Sequence, residues 1–116
     1  MHFVKQEGKS VFKFAVTNMA EVSAEIMDKN NLTSDDVDWL VPHQANLRIA
    51  QFIQKKFGLS DAQVFNNIMK YGNTTAASVI IALTEAWEKG HIKDNDLVVL
   101  AAFGSGFTWG SVIIRW

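Results

Sequence analysis

The chain has 116 residues, a formal net charge of −1, no cysteine, and a composition that is 48% hydrophobic and 20% charged. That size and composition suit one folded domain able to bury about 65% of its unfolded surface, not a disordered chain. The near-neutral charge argues against bulk binding to nucleic acid or membrane, and the lack of cysteine excludes disulfides, thiolate metal sites and a cysteine nucleophile within this chain.

Met1 to Ser10 alternates polar and apolar residues and lacks the apolar core of a signal peptide. The longest apolar run, Leu97 to Phe103, falls far short of the ~20 residues a membrane helix needs. A cytoplasmic protein is the expectation.

His2 to Gln6 suits a short strand, closed by the turn at Gly8-Lys9. From Ser10, a plausible N-cap, the period changes, and Val11, Ala15, Met19, Val22 and Ile26 form a stripe at helical spacing. Asn30-Asn31 is a stop signal, and Thr33-Ser34-Asp35-Asp36 reads as one helical turn before a strand from Asp38 to Pro42. Proline has no N–H for a central ladder, so that strand should end there. Gln44 or Asn46 can then begin a helix running to Phe57, ended by Gly58. Free N–H groups at its start would point back at His43.

Val64 to Ile68 suits another short strand. The run Thr74 to Leu83 is small and apolar nearly all round, which predicts a helix deep inside the structure. Asp94-Asn95-Asp96 turns the chain into Leu97 to Phe103, an apolar run suited to a strand covered on both faces. Gly104-Ser105-Gly106 breaks it, and Phe107 to Trp116 reads as a final strand. The alternation predicts an α/β fold: a mostly parallel mixed sheet with helices on both faces and the last strand antiparallel.

Turns around His43, Asn73 and Gly104-Ser105-Gly106 follow the carboxyl ends of predicted strands, which lie on one edge of a parallel sheet. They offer an imidazole, a carboxamide and a run of backbone N–H groups, none a strong nucleophile but all able to donate to a developing oxyanion. Each also has a plainer reading: a solvated strand-end histidine, an N-cap asparagine, a tight turn between antiparallel strands. Ser105 lacks the outer glycines and following helix of a nucleophile elbow. His2, His43 and His91 have no ligand-like spacing, so no metal site is expected.

Three segments in order, His43-Gln44-Ala45-Asn46-Leu47-Arg48-Ile49, Tyr71-Gly72-Asn73-Thr74-Thr75-Ala76-Ala77-Ser78 and Phe103-Gly104-Ser105-Gly106-Phe107-Thr108-Trp109-Gly110, closely resemble the C-terminal half of the β-ketoacyl-acyl-carrier-protein synthase III family, in the thiolase superfamily. The resemblance runs from about Gly8 to Trp116 and implies a thiolase-like half-domain of a condensing enzyme that starts type II fatty acid synthesis. By motif position it implies a catalytic histidine at His43 and a catalytic asparagine at Asn73. It also implies an oxyanion loop at Gly104, Ser105 and Gly106, with the donor at the N–H of Ser105, where similar enzymes often have glycine. Gly8, Phe12, Ala45 and Asn46 resemble residues along a pantetheine tunnel for coenzyme A thioesters, and Lys13, Arg48 and Lys55 resemble the basic residues that meet the acyl carrier protein. Acetyl-CoA or another acyl-CoA is then a substrate, no separate cofactor is needed, and full-length relatives are homodimers. The family's nucleophilic cysteine lies in an N-terminal half that this chain lacks, so the expectation for residues 1–116 is the C-terminal catalytic domain of a longer enzyme. It is expected to lack the first strand of that half as well and to be inactive alone. A non-catalytic thiolase-like module for carrier-protein binding or assembly is the alternative.

Overall fold

At the centre of a three-stranded sheet lies β2 (Leu97–Gly104), with β1 (Trp39–Pro42) parallel on one side and β3 (Thr108–Arg115) antiparallel on the other. The computed structural model of the chain describes residues 8–44, 47–104 and 108–116, so the strand expected at His2 to Gln6 lies outside them. Around the sheet sit α1 (Gly8–Lys29), α2 (Leu47–Phe57), the single-turn α3 (Ile68–Tyr71) and α4 (Ser78–Glu88).

Side chains alternate across a strand, and here both faces are covered, as the mixed α/β pattern predicts. Leu40, Val99 and Ala101 pack on one face with Val16, Met19 and Met27 of α1 and Ile49 and Ile53 of α2. Val41 and Val98 pack on the other with Ala82 and Ala86 of α4 and with Ile92. Fully buried side chains of the size of Met19, Leu40 and Ile53 each contribute about 1.5–3 kcal/mol through lost water contact. The carboxylate of Asp38 fixes the β1–β2 register by accepting from the backbone N–H of Leu97 at 2.7 Å, while the Asp38 N–H donates to the Leu97 carbonyl at 3.0 Å.

Several ends fall where the sequence puts them. Asn31 takes φ 55 after α1, and Leu32 N–H closes back on the Met27 carbonyl at 2.9 Å. Gly58 takes φ 66 after α2, with Leu59 N–H on the Gln54 carbonyl at 3.0 Å, an arrangement that glycine adopts most readily and asparagine next. The turn after Thr33 is the three-residue 3₁₀ helix Ser34–Asp36, boxed by Asp36, whose Oδ2 accepts from Thr33 N–H at 2.7 Å.

Three expectations need correction. Ser10 is not the N-cap of α1, because the helix already begins at Gly8. Val64 to Ile68 is not a strand: Val64 makes one parallel bridge to Leu40, and the chain turns helical at Ile68 because a buried side chain takes the N–H groups that a ladder would need. The helix from Thr74 is not enclosed. A 3₁₀ turn at Thr75–Ala77 leads into α4, which buries only the narrow stripe Ser78, Ala82 and Ala86 and leaves Ile80 60% exposed. Small residues at i, i+4 and i+8 seat α4 closely on Val41 and Val98, Leu83 packs against the same cluster, and Ile80 and Trp87 are exposed.

In the sheet order β3 is an edge strand, and among the described residues it pairs only with β2. Trp109 and Val112 on it are exposed. Ser111 Oγ–H ties β3 to α1 by donating to the Val22 carbonyl at 2.9 Å. Among the described residues no helix is long and apolar enough to cross a membrane.

Candidate active site

His43 follows the last residue of β1, and its backbone N–H continues the ladder by donating to the Ala101 carbonyl at 2.7 Å. Pro42 ends the strand because it has no donor to offer. The imidazole therefore stands at the carboxyl edge of the parallel pair, beside the end of β2 that leads to Gly104, where ligand sites of open α/β sheets lie. The ring is half-buried, and burial lowers its pKa below the ordinary value of 6.5 by penalising the charged form. Desolvation thus favours the neutral ring at pH 7; the first turn of α2, expected to point free N–H groups at His43, adjoins residues 45 and 46, which lie outside the described residues.

His43 is held by Ser78 directly and by Gln44 through Ser78. Ser78 opens α4, is 1% exposed, and places Oγ in hydrogen-bond contact with His43 Nδ1. The same oxygen accepts from the backbone N–H of Gln44 at 3.2 Å. Gln44, 2% exposed, turns its carboxamide inward: Oε1 accepts from the N–H groups of Asn67 and Ile68 at 3.0 and 3.1 Å. Its Nε2 donates to the Pro42 carbonyl at 2.7 Å and to Asn66 Oδ1 at 3.4 Å. Gln44 thus caps the start of α3; the start of α2 expected at Gln44 or Asn46 adjoins residues 45 and 46, which lie outside the described residues. A serine inside an apolar stretch was the one sequence clue to Ser78, since a buried hydroxyl needs a partner.

Asn73 does not follow a strand, since that strand is absent. It follows α3 through Gly72, at φ 67 and ψ −161, and its side chain is exposed. From there the 3₁₀ turn Thr75–Ala77 leads directly to Ser78, so the chain that carries Asn73 is anchored against His43 within one short segment. Gly104 is the last residue of β2, paired with Thr108; Ser105 and Gly106 lie outside the described residues, as do Ala45 and Asn46. Among the described residues no cluster of potential ligands could hold a metal ion.

Two of the remaining candidates, Phe12 and Arg48, meet where α1 packs on α2. Phe12 stands edge-on to Phe52 with ring centroids 5.8 Å apart, and the Arg48 guanidinium lies 5.7 Å from the Phe12 centroid. Arg48, Lys55 and Lys13 are exposed, and Gly8 is the first residue of α1. Arg48, Phe52 and Lys55 share one side of α2 by spacing, opposite the buried Ile49 and Ile53. Arg48 and Lys55 thus give one side of α2 a basic rim beside two partly exposed rings, and Lys13 is exposed on α1.

Residues 27–116 match the family described as the C terminal of 3-oxoacyl-(acyl-carrier-protein) synthase III. The chain is 51% identical over all its 116 residues to the β-ketoacyl-(acyl-carrier-protein) synthase III of Chlorobaculum tepidum, of which it covers 35%. The crystal structure of the 3-oxoacyl-(acyl-carrier-protein) synthase III of Aquifex aeolicus superposes on 98% of the chain with a TM-score of 0.96 at 42% identity, and the match covers 37% of that chain. That from Pseudomonas aeruginosa matches 99% of the chain with a TM-score of 0.95 at 39% identity, over 36% of its own length. The chain thus spans about a third of the length of the curated relatives it matches.

Proposed function

The chain belongs to the 3-oxoacyl-(acyl-carrier-protein) synthase III C-terminal family, and we propose that it supplies the malonyl-decarboxylating half of a condensing site that begins type II fatty acid synthesis in the cytoplasm. In this reading the nucleophilic cysteine comes from the part of the enzyme outside these residues, since the chain itself has none. The observation that carries it is the placement of a neutral, half-buried imidazole at the carboxyl edge of β1, with the Asn73 segment pinned to it through Ser78.

The chemistry asks for donors without a nucleophile. When malonyl-carrier protein loses CO2, the C–C bond to the carboxylate breaks and its electron pair passes into the thioester as an enolate. Negative charge gathers on the thioester oxygen, where His43 Nε2–H and Asn73 Nδ2–H hold it. The enolate carbon then attacks an acetyl group carried on the cysteine. The tetrahedral oxyanion is held by the N–H of Ser105, and collapse expels the cysteine thiolate, leaving acetoacetyl-carrier protein. Fixed donors aimed at charge that develops only in the transition state are worth more than donors bonded equally to the ground state.

The basic rim is the docking face for the acidic carrier protein, and the pantetheine arm enters past Phe12, Gly8, Ala45 and Asn46. Charge at such a rim chiefly steers encounter. Arg48→Glu is expected to weaken carrier-protein binding about tenfold at low salt, with the difference shrinking as salt is added. Binding unchanged by this reversal in a low-salt titration argues against the face.

The direct test is to supply the cysteine-bearing half in trans and measure malonyl-thioester decarboxylation and condensation, expecting neither from the chain alone and both from the pair. Carrier-protein binding by a folded pair that never decarboxylates would mark the chain as a non-catalytic binding module.

A further inference from the structure

We propose that the hydroxyl of Ser78 is a positioning group that keeps the proton of neutral His43 on Nε2. A serine hydroxyl has one proton to donate and two lone pairs to offer. At Ser78 one lone pair is occupied, because Gln44 N–H donates to Oγ at 3.2 Å. The other contact of Oγ is His43 Nδ1. If the hydroxyl donates to that nitrogen, Nδ1 is bare and the ring proton sits on Nε2, the nitrogen turned away from α4. In the opposite arrangement Nδ1–H would donate to Oγ, and the hydroxyl proton would need a second acceptor. Among the described residues it has none besides Nδ1. Ser78 is 1% exposed, so water does not relieve it. A buried donor left unpaired is costly, and the arrangement that pairs every group wins.

The position of Oγ is itself fixed from two sides. Ser78 stands on the stripe that α4 buries against the sheet, ahead of Ala82 and Ala86. Gln44, whose N–H reaches Oγ, is held by its own buried carboxamide on Pro42, Asn67 and Ile68. The ring meets a preset donor and its tautomer follows from it, the usual way in which the partner of one imidazole nitrogen decides the state of the other. For catalysis the inference rests on the reading of His43 as an Nε2–H donor. Ser78 touches no reacting atom and acts only through His43.

The test is the long-range proton–nitrogen spectrum of the ¹⁵N-histidine-labelled chain above the His43 pKa, with the His43 signals assigned by their loss in His43→Gln. A bare Nδ1 and a protonated Nε2 are expected. Ser78→Ala should abolish that pattern and give signals averaged between tautomers. A protonated Nδ1 in the unaltered chain, or an unchanged Nε2–H pattern in folded Ser78→Ala, overturns the proposal. If Ser78→Ala does not fold, the unaltered chain still decides. Its Ser78 hydroxyl proton should exchange slowly and show a coupling to Nδ1, whereas a freely exchanging, uncoupled proton overturns the assignment. No thioester and no second half of the enzyme enter this measurement, so it can fail while the decarboxylation reading stands, and the reverse.

Discussion

Replacing His43 or Asn73 by alanine is expected to slow malonyl-thioester decarboxylation about a hundredfold in the reconstituted enzyme, since one oxyanion donor is worth ~3 kcal/mol in the transition state. The two losses should not add, because a single remaining donor can no longer fix the enolate in line with the acyl group. The measurement is CO2 release from malonyl-carrier protein, separated from transfer of the starter acyl group to the cysteine, which neither change should slow as strongly. Decarboxylation that survives both substitutions at the original rate would remove the assignment. A thermodynamic check accompanies it. Burial holds the His43 pKa below 6.5 in the folded chain, so on acidification the unfolded chain binds its proton first. Stability from this source is full above 6.5, falls with pH through the window beneath it, and levels once the folded ring is protonated too. His43→Ala should remove that part of the slope in urea titrations at a series of pH values.

Gln44→Ala is expected to lower stability by about 2–4 kcal/mol, more than any change on the basic rim. The substitution strands two N–H groups, of Asn67 and Ile68, and the Pro42 carbonyl, all now paired with one buried carboxamide. Each buried group left without a partner costs about 1–3 kcal/mol, partly relieved where water can enter the space vacated. Denaturant midpoints read this directly, and a loss under ~0.5 kcal/mol would show that the network carries little, as for an ordinary surface change. A second consequence reaches the site. The carboxamide starts α3, and Asn73 hangs from the end of α3 through Gly72. Loosening Gln44 should therefore lower decarboxylation in folded enzyme even though Gln44 meets no substrate.

The strand at Leu97–Gly104, the stop at Pro42 and the glycine end at Gly58 were legible because each is set by neighbours a few positions away: alternation, a missing N–H, a positive φ. The false strand at Val64 to Ile68 has the local composition of one. It is overruled by an acceptor 23 residues earlier in the chain, the Oε1 of Gln44, which no local pattern announces. The apolar run of α4 misled in a similar way. Composition says how much of a helix can be buried, while the sheet it meets decides which stripe is, and here that is Ser78, Ala82 and Ala86.

The same division holds for the site. Residue order alone pointed to His43, by its motif and its strand end, and to Asn73, by its motif only. That Ser78 would meet His43 across 35 positions, and that Gln44 would turn inward to α3, depended on how closely α4 settles on β1. A side-chain hydrogen bond forms only within about 3 Å, and distances that fine are fixed by packing between elements, not by the order of residues within them.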